Sequence, residues 1–307
     1  MSTDAIPLFS VVLPTHNRAA LLPVAISSAL QQTCGDLELL IMDDGSTDNT
    51  ADVVASFDDR RIHYHHHNQP TGAAAARNRG IAAARGRYVS FLDDDDELLP
   101  EFLQQTRLFF ERAGGSDLAM TFTNVQWVTR SDNGDQVVRT IEHNGMRFDD
   151  QHQNAKDLLT ICRLATSWGI TIKRTALLDV GGFDERLTIS EDRDLFVRLL
   201  ARGYGAAAIG HPLVKFMNHG GVRLTDHRRS RVKAECDAQL IANSREFLRR
   251  FPLVYCRFNE NLAGDWYRAG NYDAALRCAW EAVKARPLRL KAQRRLWRAG
   301  IANLRSH

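Results

Sequence analysis

Tyr88-Val89-Ser90-Phe91-Leu92 runs straight into Asp93-Asp94-Asp95-Asp96, so an apolar run of strand length delivers four carboxylates to one point. Like charges a few ångströms apart disfavour joint ionisation. Such a cluster becomes stable when a divalent cation or several donors sit among the oxygens. A metal and its anionic ligand are the occupants this chemistry suggests. The bland alternative is that the acids only lead into the helix expected over 100–112, whose N-terminus favours negative charge. The flanking sequence decides between the two.

Upstream, Phe9 to Leu13 is a short apolar run ended by Pro14, the length and boundary of a buried parallel strand. Thr15 to Arg18 forms a loop, and Leu21, Leu22, Ala25, Ile26 and Leu30 recur at helical spacing. Leu37 to Met42 gives a second strand ending in Asp43-Asp44-Gly45-Ser46, which completes a β-α-β unit. A helix over 49–57, capped by Ser46, Thr47 or Asp48, accounts for the polar residues after the strand. It does not account for Asp43 and Asp44, which sit where open α/β sheets place their ligands. Ile62 to His66 alternates as a third strand. Consecutive strand residues point to opposite faces, so His65-His66-His67 is not a metal site. Thr71-Gly72 opens an alanine-rich helix through Ala84, closed by Gly86 as its C-cap. Arg77 falls on the inward face of that helix, and an inward arginine needs an anion.

Downstream, Leu118 to Val128 and Gln136 to Ile141 read as strands joined around Asn133-Gly134, a hairpin signal that makes the sheet mixed. A helix over 155–163 precedes a strand at Trp168 to Ile172, where Trp168 is either core or a ring that stacks on a sugar. Ser190 is placed to cap a helix from Glu191 to Ala201. At 100° per residue, Leu195, Phe196 and Leu199 bracket the direction of Asp192, while Glu191 falls toward the edge of the apolar arc. Asp192 is therefore expected to face inward, with a partner or a task. His219-Gly220-Gly221 and Arg223 lie in a loop with no assigned role.

The 307 residues suffice for a sizeable core, and a formal net charge of +3 with no nucleic-acid-binding motif gives no case for a nucleic-acid partner. The first ten residues lack the basic start and apolar core of a signal peptide, and no apolar run is long enough to span a bilayer. Five scattered cysteines without a C-x-x-C pair argue against a disulfide framework or zinc site, and point to reduced thiols in the cytoplasm.

Five segments then follow one another in order: Val11-Val12-Leu13-Pro14-Thr15-His16-Asn17-Arg18, Met42 to Asp48, Ala76-Arg77-Asn78, Asp93 to Asp96, and Gly181-Gly182-Phe183-Asp184 with Glu191-Asp192. Together they resemble the inverting family 2 glycosyltransferases of GT-A fold over roughly residues 9–228, with His16 standing where that family commonly has tyrosine. The resemblance implies a three-layer α/β/α Rossmann-like domain with a mixed sheet. It implies that Pro14, Thr15, His16, Asn17 and Arg18 line the donor site, that Asp44 binds the nucleotide base, and that Arg77 approaches the diphosphate. Asp93 and Asp94 would hold the ribose side, and Asp95 together with Asp93 would hold Mn²⁺ or Mg²⁺. Trp168 and Glu191 would lie on the acceptor side, and Asp192 would be the catalytic base. The partners so implied are a nucleotide-diphosphate sugar, with a uridine diphosphate sugar favoured, and a glycan or lipid-linked acceptor.

The domain organisation expected is 1–228 for this domain, with a nucleotide-sugar half over about 1–100 and an acceptor half over about 101–228, then a helical region over 229–307. Within that region, Ala269-Gly270-Asn271-Tyr272 resembles the turn of one tetratricopeptide-type hairpin. Leu290, Trp297, Ile301 and Leu304 form an apolar stripe beside Lys291, Arg294, Arg298 and Arg305, and no acid follows Glu281. A basic amphipathic helix of this kind suits a membrane surface, which would make the protein peripheral on the cytoplasmic face. Two other readings compete. A sugar-phosphate nucleotidyltransferase would carry a glycine-rich phosphate loop where this chain has Pro14-Thr15-His16-Asn17. A non-catalytic membrane-associated binding module would have no need of Asp44, Asp95 and Asp192.

Overall fold

β1 (Phe9–Thr15), β2 (Leu37–Asp43) and β3 (Ile62–His66) pair in parallel, connected by α1 (Leu22–Leu30) and α2 (Thr50–Ala55). The chain returns through α3 (Ala73–Ala83) to the other side of β1, where β4 (Tyr88–Phe91) pairs with it in parallel. The strand order reverses at that point, which opens a crevice beyond the carboxyl ends of β1 and β4. The computed structural model of the chain describes residues 6–113, 117–131, 134–165, 169–217 and 230–306. His219 and Arg223 lie outside them, as do Trp168 and Asn133.

After β4 come β5 (Glu97–Leu98), α4 (Phe102–Ala113), β6 (Leu118–Ser131), β7 (Gly134–Ile141), β8 (Arg147–Phe148) and α5 (Ala155–Ile161). β9 (Thr171–Lys173), α6 (Arg174–Asp179), α7 (Glu191–Ala201) and β10 (Gly205–Met217) follow. The sheet runs β3-β2-β1-β4-β9-β6-β10-β5, with β7 on β6 and β8 on β10. β9 lies antiparallel to both β4 and β6, and the β6–β7 pair is antiparallel, so the sheet is mixed as the sequence led one to expect.

The chain divides into two compact units, one formed by 1–153, 164–185 and 202–220, the other by 154–163, 186–201 and 221–307. In the first, side chains alternate across the sheet. Phe9, Val11 and Leu13 join a core with Leu22, Ile26, Phe102 and Phe110 of α1 and α4, while Val12 meets α3 on the opposite face. α3 sits close because Gly80 has no side chain; a Cβ there would lie 2.4 Å from Val12 Cγ1. The helix stops at Ala83, so Gly86 is not its C-cap. Gly86 is needed instead for close approach, since a Cβ would fall 2.6 Å from the Ser10 amide nitrogen. Its own N–H donates to Ser10 Oγ at 2.9 Å, and Ser10 Oγ donates to the buried Glu38 carboxylate at 2.6 Å. Arg85 closes the arrangement with its backbone N–H at 2.7 Å and Nε at 2.8 Å from Glu38. These bonds pin the segment leading into β4, and hence the start of the strand that delivers the acids.

The second unit contains α5, α7, α8 (Ser230–Asn243), α9 (Arg245–Arg249), α10 (Pro252–Arg268), α11 (Tyr272–Ala285) and α12 (Leu290–Ser306). α10 and α11 form the expected hairpin. Gly270 turns it with φ 77°, and Asn271 caps α11 by accepting from the Ala274 N–H at 3.0 Å. No helix among the described residues is long and apolar enough to cross a membrane. All five cysteines are free thiols, four of them buried.

Candidate functional site

Beyond the end of β4, the chain closes a tight turn in which the Asp96 N–H donates to the Asp93 carbonyl at 3.1 Å. The turn folds the first and last acids of the run toward each other, and carboxylate oxygens of Asp93, Asp95 and Asp96 lie within 4.8 Å of one another. Asp94 turns the other way, accepting from Thr15 Oγ1 at 2.8 Å and Arg18 Nη1 at 2.9 Å. Arg18 Nη1 also reaches Asp95 at 2.7 Å. Three acids therefore converge rather than four, and Asp96 is the member the sequence reading left out. Its Oδ1 also accepts from the Met217 N–H at 3.1 Å, which ties the turn to β10.

Arg77 is buried on α3, as its position on the inward face implied, and the anion it finds is Asp93, with Nη2 at 2.8 Å. Its guanidinium lies 5.7 Å from the Phe183 ring centroid. Asn78, one residue on, donates to the Phe183 carbonyl at 2.9 Å and accepts from the Phe183 N–H at 2.8 Å, so the Gly181-Gly182-Phe183 turn is bonded directly to α3.

At the end of β2 the two acids have different roles. Asp43 is buried and accepts from Tyr64 Oη at 2.5 Å, His66 Nδ1 at 3.0 Å and the Ser46 N–H at 2.8 Å. Burial works against its charge, but these three donors outweigh it and hold the carboxyl below its ordinary range. Asp44 accepts from the Thr71 N–H at 2.9 Å, Thr71 Oγ1 at 2.8 Å, the Gly72 N–H at 2.7 Å and Arg79 Nη2 at 2.6 Å. Those four donors match the acceptor capacity of a carboxylate, so any further donor at Asp44 has to displace one of them. The β1 loop is held against this segment: His16 Nδ1 donates to the Asp44 carbonyl at 2.8 Å, and Asn17, at φ 53°, accepts from the Thr47 N–H at 2.8 Å. Pro14 does not end the strand as expected: it pairs opposite Met42 within β1, and the pairing runs on to Thr15 opposite Asp43. Thr71 and Arg79 were missed from the sequence; Arg79 had a signal in its two-residue spacing from Arg77 on a helix where only one of them can face inward.

Burial pushes the Asp94 carboxyl up to about 6; Arg18 and Thr15 oppose this, and the charges of Asp95 and Asp93 add to it. Its ordinary value is 3.8, so the proton favours the folded chain. That stabilisation is complete below about pH 4 and lost as pH rises through about 6. A cation among the neighbouring acids opposes the same proton. Mn²⁺ affinity measured by calorimetry is therefore expected to fall as pH is lowered through about 6, with proton release on binding at about pH 5.5 and little at about pH 8. Affinity constant over that range would remove Asp94 from the metal's surroundings.

Glu191 and Asp192 belong to the helical unit. Asp192 is partly exposed, and its Oδ1 accepts from the Arg193 N–H at 2.7 Å. The fully buried acid of α7 is Asp194, bonded to Arg198 Nε at 2.6 Å and Asn243 Nδ2 at 2.9 Å. The expectation that Asp192 points inward is thus corrected. Asp194, Leu195, Phe196, Val197, Leu199 and Leu200 are all buried, so α7 is covered on nearly every side and a wheel has no single inward direction. Ser190 adopts φ 67°, and its hydroxyl donates to the buried Asp237 at 2.8 Å rather than serving as a simple cap. Arg193 reaches Asp237 at 3.2 Å and the Cys162 carbonyl at 2.9 Å, and Lys233 bridges Asp237 at 2.6 Å and Asp265 at 2.8 Å. A serine in the left-handed region is uncommon, and this network holds it immediately before Glu191 and Asp192.

The oxygens of Asp93, Asp95 and Asp96 are hard donors, and three acids this close suit Mg²⁺ or Mn²⁺ rather than a soft metal.

The family model described as glycosyl transferase family 2 matches residues 10–173. A GalNAc(5)-diNAcBac-PP-undecaprenol beta-1,3-glucosyltransferase of Campylobacter jejuni is 45% identical over 96 residues, 30% of this chain and 31% of its own length. The chain spans about half or less of the length of the curated relatives it matches. Among solved structures, S. aureus TarS 1-349 in complex with UDP-GlcNAc superposes with a TM-score of 0.61 at 16% identity, covering 90% of this chain and 91% of that one. The mannosyltransferase PcManGT of Pyrobaculum calidifontis, in complex with GDP-Man and Mn²⁺, gives 0.57 at 18% identity over 98% and 88%. At these identities the likeness establishes the shared α/β fold.

Proposed function

The chain belongs to glycosyl transferase family 2, and on that premise we propose that it transfers a sugar from a nucleotide-diphosphate donor to a hydroxyl of a glycan or lipid-linked acceptor, with inversion at the anomeric carbon. The observation that carries the reading is the grouping at the strand-order reversal: Arg77 on Asp93, Arg18 on Asp94 and Asp95, and three convergent carboxylates. A nucleoside diphosphate gains negative charge as it leaves. In this reading Arg77 is the cation that meets it, and a divalent ion held by Asp93, Asp95 and Asp96 would supply further Lewis-acid stabilisation. Asp44, held beside the β1 loop, takes the nucleotide base.

Asp192 takes the role of general base. It accepts the acceptor hydroxyl's proton as that oxygen bonds to the anomeric carbon and the bond to the diphosphate oxygen breaks. One displacement inverts the anomer. The UDP-sugar bound to TarS and the undecaprenol-linked substrate named for the C. jejuni relative favour a uridine diphosphate donor and a lipid-linked acceptor.

The test is a turnover screen of nucleotide sugars against short glycan and polyprenyl-diphosphate-linked acceptors, with Mn²⁺, Mg²⁺ or chelator, and with the product anomer read by NMR. Expected are release of free nucleoside diphosphate only with metal present, and a glycoside of inverted configuration. A product of retained configuration would overturn the single-displacement reading. Metal-independent transfer would overturn the role of the three acids.

A further inference from the structure

We propose that α12 is an anionic-lipid-binding surface: a phosphate headgroup seats among Lys291, Arg294, Arg295 and Arg298 while Leu290, Trp297 and Leu304 enter the bilayer. The site lies wholly within the helical unit and is independent of the glycosyl-transfer reading.

A cleft of about 520 Å³ lies along α10 and α12, lined by those four cations together with Tyr267, Leu290 and two alanines, and no acid is among its lining residues. None of the four has an ion-pair partner among the described residues. The acids of α10 are already engaged, Glu260 by Arg289 and Asp265 by Lys233 and Arg268. Arg295 is the deepest. Its guanidinium occupies the space a side chain at Gly264 would fill, a Cβ there falling 2.1 Å from Nη1, and its buried Nε has no hydrogen-bond partner. Burial lowers its pKa, with Arg268 and Arg298 adding to the shift and Glu260 and Asp265 opposing it.

The neighbouring face of the helix identifies the anion's source. α12 packs inward through Ala292 and Ala299, which leaves its large apolar side chains outside: Leu290 is 67% exposed, Trp297 71% and Leu304 81%. Spaced seven apart, they fall on one line two turns at a time, flanked by the cations of the cleft. Leu288, just before the helix, is 95% exposed. An apolar line bordered by unpaired arginines complements an anionic bilayer, where the acyl region takes the first and phosphates the second, and tryptophan favours the boundary between them. Neither signal suffices alone for stable attachment; together they add.

The test uses the full chain in sedimentation with phosphatidylcholine vesicles, alone or containing phosphatidylglycerol. Expected are partition into the anionic vesicles at low salt, weakening as salt rises, and little partition into the neutral ones. Arg294→Gln with Arg298→Gln should weaken partition by about 30-fold, two surface charges' worth. Trp297→Ala should weaken it by about tenfold while leaving the salt sensitivity intact. These side chains are exposed and unpaired, so unchanged melting temperatures will separate lost binding from lost fold. Equal partition into both vesicle types, or variants that bind like the parent, would overturn the proposal. Release by about 10 mM inorganic phosphate at matched ionic strength would overturn it too, by moving the site to a soluble anion.

Discussion

Replacing Asp192 with asparagine is expected to lower turnover by about 10²- to 10⁴-fold while donor affinity and melting temperature stay near the parental values, the loss typical of removing a general base. Asparagine has nearly the same shape and cannot accept the proton. Asp192 is partly exposed, so little packing is at stake. Asp194, two residues on, forecasts the opposite. It is fully buried and bonded to Arg198 and Asn243, and Asp194→Ala leaves the Arg198 charge behind, at a cost of about 3 kcal/mol in stability. Glu191→Gln should have the smaller effect on rate. If Asp192 served only the dipole of α7, Asp192→Asn would cost about 0.3–1 kcal/mol and leave the rate alone. Turnover, donor affinity and thermal unfolding on the same sample separate the two, and near-parental turnover with intact donor binding would remove Asp192 from the chemistry.

Asp95→Ala is expected to reduce Mn²⁺ affinity by at least about 100-fold and to weaken nucleotide-diphosphate binding with it, because in the proposed site the metal and Arg77 would together offset the diphosphate charge. Asp96→Ala should behave similarly, now that the turn brings Asp96 beside Asp93. Asp94→Asn is the contrast: its carboxylate is turned to Thr15 and Arg18, so metal binding should survive with a smaller loss and a weaker dependence on pH. Calorimetry on the three variants distinguishes a cluster of three from a single ligand. Parental affinity for both metal and nucleotide in Asp95→Ala would dismiss the acids as metal ligands.

The β-α-β unit and the acid-bearing strand were legible because strand length, helical spacing and polar boundaries are local properties that burial on both faces makes emphatic, as in Phe9–Thr15 and Leu37–Asp43. Arg77 was legible for the same reason: one side chain on a known helix face, with a charge that demands an anion. What escaped depends on closure. Four consecutive acids look equivalent until the Asp96-to-Asp93 bond sorts them into three that converge and one that turns back to β1. Asp192 and Asp194 look distinguishable on a wheel, but a helix buried nearly all round gives the wheel no direction to find. The grouping of α5 and α7 with the C-terminal helices had no local signal at all, since their partners lie far along the chain.

That interleaving bears on the order in which the protein is made. Asp237, which steadies Ser190 at the start of α7, follows it by 47 residues, and Lys233 and Asp265 complete the same network. Every segment of the sheet-bearing unit is synthesised before α8, α10, α11 and α12. Domains generally consolidate from the N-terminal side during synthesis. A growing chain can therefore assemble its acids and Arg77 before α8 and α10 supply the neighbours that fix the start of the helix bearing Asp192. On the proposed reading the base is fixed last, and a chain ended before α8 is expected to bind its donor without consuming it.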